Sequence, residues 1–206
     1  MSNETGRKTG LLFPAIGLGL IIIALVVVAS RSGPKDEAPG MAAVTAAAPA
    51  AAPEPKESAF DWYEPREAPK TVFKDAADAD KTLADFAGKA LVVNFWATWC
   101  APCVKEMPTL DALQAQLGGD TFQVLTISQD REGATVAKPF MDKNGWKNLA
   151  LYTEAQARFQ RDAGIRGLPT TIIIDKTGKE VGRVEGEVQW TSPAVIEKLK
   201  SLAAAP

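Results

Sequence analysis

Hydrophobic and polar positions divide the chain into three stretches of different character. Residues Gly10 to Ala29 read GLLFPAIGLGLIIIALVVVA, an uncharged apolar run with no polar stripe, and its length is about the 20 residues a helix needs to cross a bilayer core. From residue 30 to residue 70 there is no sustained apolar periodicity; MAAVTAAAPAAAPEPKE lies at the centre, and Pro49, Pro53 and Pro55 interrupt any alanine-driven helix. This stretch is expected to be a flexible, partly extended linker. From Thr71 to the end at residue 206, short apolar runs alternate with segments of helical spacing, the pattern of one α/β domain.

Within that domain, a short strand is expected at Thr71 to Lys74 and a polar helix or turn near Lys81 to Phe86. Ala90 to Trp96, ALVVNFW, is a near-continuous apolar run of strand length, as required when both faces of a sheet are covered. Met107, Leu110, Leu113 and Leu117 then recur at helical spacing until Gly118-Gly119 stops the helix. Phe122 to Ser128 reads as a second core strand. An inserted segment follows, with a helix near Pro139 to Asn144, a strand at Leu149 to Tyr152 and a helix from Glu154 to Ala163. Thr171 to Asp175 and Glu180 to Glu185 are strands joined by a polar hairpin connection. The last helix takes Ser192 as its cap and Pro193 in its first turn, with Val195, Ile196, Leu199 and Leu202 as one stripe.

Composition removes most chemistries. The chain has no histidine, which excludes Ser-His and Cys-His pairs and imidazole-ligated zinc or haem. Its net charge is −2, with no dense Lys/Arg cluster, so nucleic acid is not an expected partner. Only two cysteines exist, Cys100 and Cys103, too few for a disulfide scaffold or a thiolate zinc site. No metal site and no cofactor are expected.

The pair therefore has to be explained on its own. Cys100 falls where a buried strand ends and a helix begins, so free amide hydrogens and the positive helix end would stabilise the thiolate that attacks disulfides. Cys103 lies about one turn further on, close enough to bond to Cys100 and to resolve a mixed disulfide. A purely structural bridge is the alternative, but it would close so small a loop that it removes little unfolded-state entropy. Half of a metal site is another, and it lacks further ligands. Glu106, three residues beyond Cys103, comes to the same side of the helix within proton-transfer reach, although a solvated helix glutamate fits the same spacing. Asn94 carries an amide and can exchange no proton in this range. Trp96 is expected in the core. Trp99 is read as a partly exposed apolar docking surface, with a packed indole as the alternative. Pro102 stiffens the loop.

The run Asn94-Phe-Trp-Ala-Thr-Trp-Cys-Ala-Pro-Cys103, followed by Val-Lys-Glu106-Met-Pro108, resembles the TlpA/ResA/CcmG-like thioredoxin family of thiol-disulfide oxidoreductases. The likeness extends from about Thr71 to Leu202, includes Gly167-Leu168-Pro169-Thr170-Thr171, and reaches the Trp190 segment typical of the TlpA branch. It implies a thioredoxin fold: a mixed five-stranded sheet flanked by helices, with a central insertion. It also implies that Glu106 is an active-site feature and that Leu168-Pro169 is a cis-proline loop against the cysteines, contacting substrate and blocking metal capture. An ordinary X-Pro bond would be trans.

These readings give the following expected organisation: a cytoplasmic tail at 1–9, a transmembrane anchor at 10–29, a linker at 30–70 and the thioredoxin-like domain at 71–206. A cleaved signal peptide competes with the anchor, but its apolar core would be shorter, typically about 7 to 15 residues. Arg7 and Lys8 oppose Arg31 and Lys35, so charge barely chooses the orientation. The short tail is the easier side to keep in the cytoplasm, which places the domain in the periplasm of a bacterial inner-membrane protein. The resemblance implies a reductant of client protein disulfides in cytochrome c maturation or cytochrome oxidase copper-site assembly, recharged by a transmembrane thiol reductase. Two alternatives stay open: a Cu(I) metallochaperone holding the soft ion between thiolates, and a disulfide oxidant or isomerase of different redox poise.

Overall fold

The computed structural model describes residues 60–205. The expected tail, anchor and most of the linker lie outside the described residues. Among the described residues, no helix is long and apolar enough to cross a membrane.

In chain order the elements are β1 (Asp61–Glu67), β2 (Phe73–Asp75), β3 (Asp80–Lys81), a 3-10 turn (Leu83–Phe86), β4 (Ala90–Trp96), α1 (Ala101–Leu117), β5 (Phe122–Ser128), α2 (Ala134–Asn144), β6 (Leu151–Thr153), α3 (Arg158–Asp162), β7 (Thr170–Ile174), β8 (Lys179–Glu185) and α4 (Pro193–Ala204). The strands make one mixed sheet of eight in the order β1-β8-β7-β4-β5-β6-β2-β3. The expectation of five strands is corrected by β1 at one edge and the short β2-β3 pair at the other. β1 also corrects the linker boundary, because residues 61–67 are paired antiparallel with β8. Its outward pattern and Pro65 give it no apolar alternation to read, and it is fastened by side chains instead. Tyr63 and Arg66 both hydrogen-bond to Glu180, which Arg183 also contacts at 3.0 Å. Burial opposes ionisation of Glu180, yet these hydrogen bonds hold its carboxyl below the usual range.

The central strand lies where its sequence puts it. β4 pairs parallel with β5, from Ala90 opposite Phe122 to Trp96 opposite Ser128, and antiparallel with β7, with Asn94 opposite Thr171. Side chains alternate across a strand, so Val92 and Trp96 join one core with Cys103, Met107, Leu110, Ile196 and Leu199. Leu91, Val93 and Phe95 join a second core with Phe73, Leu125 and Phe159. The same alternation puts Asn94 on the α1 side.

Helix boundaries moved more than strands. α2 begins at Ala134, ahead of the expected start near Pro139, and carries Pro139 within it, where the ring leaves one carbonyl of the preceding turn without its ladder donor. α3 is shorter than expected, because Glu154 stands before it and accepts from the amides of Gln156 and Phe159. Ser192 occupies the cap position of α4, but its hydroxyl makes no hydrogen bond. Its carbonyl accepts from the Ile196 amide at 3.0 Å, and Pro193, at the first helical position, has no amide that would need a partner.

Candidate active site

Strand direction brings the site together. Cys100 follows the C-terminal end of β4, and Pro169 immediately precedes the antiparallel β7, so both lie at one end of the sheet. The connections after the parallel β5 and after β8 emerge at this same end. Four separate pieces of sequence therefore converge on the cysteine turn.

Cys100 is the N-cap of α1, in extended conformation, and its Sγ accepts from the Cys103 amide at 3.3 Å. Ala101 and Pro102 form the exposed start of the helix. Cys100 and Cys103 are joined in a disulfide, with Cα atoms 5.3 Å apart. Both cysteines are buried, Cys103 completely and Cys100 with 6% of its surface exposed.

Trp99 stands next to Cys100 with 70% of its surface exposed, while Trp96 is completely buried. The turn that carries Trp99 is pinned from behind by Asp130. Its carboxylate accepts from the Thr98 amide at 3.0 Å, the Thr98 hydroxyl at 2.8 Å and the Ser128 hydroxyl at 2.8 Å. Sequence reasoning missed Asp130, which carries no motif and is found only through the β4-β5 pairing.

The Leu168-Pro169 bond is cis. Pro169 is buried, its carbonyl accepts from the Gly186 amide at 2.9 Å, and Leu168 packs against both cores. The cis loop thus fills the end of the sheet beside the cysteines.

Glu106 is not a solvated helix residue; it is 1% exposed. Oε1 accepts from Asn94 Nδ2 at 2.7 Å, and Oε2 accepts from the Val188 amide at 3.0 Å and from Trp190 Nε1 at 3.2 Å. Asn94 Nδ2 also donates to Thr171 Oγ1 at 2.9 Å. Burial pushes the Glu106 carboxyl from its ordinary 4.5 up to about 7, with the three hydrogen bonds pulling the other way. A carboxyl of this kind, one turn from a buried cysteine, can take up or release a proton near neutrality. Asn94 holds it in place, and the sequence had credited Asn94 only with lacking a proton. The indole of Trp190 was not foreseen as a partner.

A thioredoxin-like sheet presenting a redox-active cysteine pair at a strand-to-helix junction, beside a cis-proline loop, defines a thiol-disulfide oxidoreductase. The Redoxin family model matches residues 64–199, and the chain belongs to that family. It is 34% identical over 122 residues to the thiol-disulfide oxidoreductase ResA of Bacillus thuringiensis (strain Al Hakam), covering 59% of this chain and 69% of the relative. It is 30% identical over 129 residues to the thiol:disulfide interchange protein HelX of Rhodobacter capsulatus, covering 62% and 69%. Among solved structures, a DsbF homologue from Corynebacterium diphtheriae superposes with a TM-score of 0.57 at 25% identity, over 72% of this chain and 96% of that one.

Proposed function

We propose that the chain is a membrane-anchored periplasmic reductase of client protein disulfides, acting in cytochrome c maturation or in copper-site assembly of cytochrome oxidase. The observation that carries the exchange chemistry is the buried Glu106 one turn beyond Cys103, matched to a buried thiol that must lose its proton before it can attack; the reductive direction follows the family likeness.

The cycle starts from the dithiol. Cys100, in thiolate form at the helix start, attacks one sulfur of a client disulfide; a bond to that sulfur forms, the client S–S bond breaks, and one client thiolate leaves. Trp99 and the half-buried Leu168, set by Pro169, hold the client segment, and Pro102 keeps the turn stiff. Glu106 then accepts the Cys103 proton, Cys103 attacks Cys100 Sγ, and the second client thiolate departs and takes up a proton. Two electrons pass to the client, and the protein is left with the Cys100–Cys103 disulfide present in the structure. A membrane-bound dithiol reductase restores the reduced form. The apolar run at 10–29 supports the anchor.

Two measurements test this. Equilibration of the Cys100–Cys103 pair with glutathione is expected to give a potential well below that of strong oxidants; a value among those oxidants would refute the reductase. Cys103→Ser in cells is expected to trap mixed disulfides with a client, and Cys100→Ser to trap none. Recovery of no partner from thiol-quenched membranes would count against client reduction, and tight Cu(I) uptake by the reduced pair against a competing chelator would point to the metallochaperone.

A further inference from the structure

Glu106 is gripped from two directions. Asn94 of β4 reaches Oε1, whereas both donors to Oε2 come from the connection between β8 and α4. One of them is a backbone amide, whose position is set by the chain. The other is the indole of Trp190, a completely buried side chain that has to be aimed.

What aims it is Phe60, the residue that leads into β1. The Phe60 ring meets Trp190 edge-on, with centroids 5.7 Å apart and planes at 82°. Phe60 is in turn stacked on Trp62 of β1 at 5.5 Å and 15°, and Trp62 lies close over Gly182 of β8, where a Cβ would come within 2.6 Å of its ring. Edge-to-face contact fixes the tilt of an aromatic ring as well as burying it. The indole N–H is therefore directed by a stack that begins in β1.

We propose that Trp190, held by Phe60, is a positioning residue for thiol-disulfide exchange: its indole N–H, together with the Val188 amide, fixes the plane of the Glu106 carboxylate one turn from Cys103. The proposal rests on the reading of Glu106 as the acceptor of the Cys103 proton. Three donors suit the ionised carboxylate, and each offsets part of its desolvation. Removing the indole donor leaves the charged form with less compensation, so the group holds its proton to higher pH. The titratable and charged neighbours are few. Cys103 shares the helix, and Glu187 lies on the same connection as Trp190 and is paired with Lys105 at 2.7 Å. Asn94 from β4 and Thr171 from β7 carry no charge. The strand β1 thereby acts on the redox site at a distance, through ring packing alone.

The test uses the full-length chain in detergent, with the rate of release from a preformed Cys100 mixed disulfide followed across pH. Trp190→Phe removes the N–H and keeps a ring for Phe60 to pack against. It is expected to move the neutral inflection of that rate upward by about one pH unit, and Phe60→Leu is expected to move it the same way by less. In the unaltered protein the Trp190 indole N–H resonance should titrate with the same midpoint and become flat in Glu106→Gln, a readout that stands even where Trp190→Phe does not fold. A flat indole resonance, or an unmoved inflection in a folded Trp190→Phe, overturns the proposal. Persistence of the inflection in Glu106→Gln overturns instead the proton-acceptor reading beneath it.

Discussion

Replacing Glu106 by Gln in the disulfide form should make the protein more stable at alkaline pH and leave it unchanged in acid. Burial raises the carboxyl from 4.5 to about 7; the folded state therefore retains a proton that the unfolded chain has already released. For a group raised in this way, its contribution to stability is fully present below the unfolded value and is lost as pH climbs through the folded one. At about 1.4 kcal/mol per pH unit, the gap corresponds to a loss on the order of 3 kcal/mol in the wild type above neutrality. Glutamine carries no such dependence. Its oxygen can keep the Val188 and Trp190 donors, and its amide can face Asn94, whose Oδ1 has no hydrogen-bond partner; a half-turn of the Asn94 amide presents that oxygen. Urea unfolding, followed by tryptophan fluorescence at about pH 5 and about pH 8, measures the difference. The variant is expected to match the wild type at the lower pH and exceed it by roughly 2 to 3 kcal/mol at the higher. A difference that does not change between the two pH values would refute the account of Glu106 as a carboxyl kept neutral by burial.

Three further outcomes are expected. Trp99→Ala removes an exposed ring, so stability should change by less than about 0.5 kcal/mol, while kcat/KM for a protein client falls about tenfold and falls less steeply for a small disulfide. Asp130→Ala strands the Thr98 amide and hydroxyl and the Ser128 hydroxyl, and should cost on the order of 2 to 4 kcal/mol in denaturant unfolding. Gly182→Ala would drive a Cβ into the Trp62 ring. It should lower stability by about 1 to 3 kcal/mol and raise hydrogen exchange in β1 before any other strand.

What the sequence determined on its own is what short-range patterning encodes. ALVVNFW specified β4 residue for residue, because a strand covered on both faces reads as a near-continuous apolar run, here broken only by Asn94. Phe122 to Ser128 did the same for β5. The cysteine spacing, with a strand before it and helical periodicity after it, placed Cys100 and Cys103 at the junction where they stand. Leu168-Pro169 was legible through the family likeness alone, since nothing local distinguishes a cis from a trans bond there.

Tertiary structure decided the rest. β1 carries polar residues and a proline, and is a strand because β8 supplies the partner amides and Glu180 the side-chain anchor. The burial of Glu106 depends on donors 12, 82 and 84 residues away in the chain, and no local pattern records such contacts. Asp130 and Trp190 enter the site for the same reason. The pairing order of the strands brings the ends of β4, β5 and β8 and the start of β7 to one edge. Sequence periodicity fixes which face of an element is apolar, but only the packed sheet fixes which polar groups meet there, and so the proton affinity of the group beside Cys103.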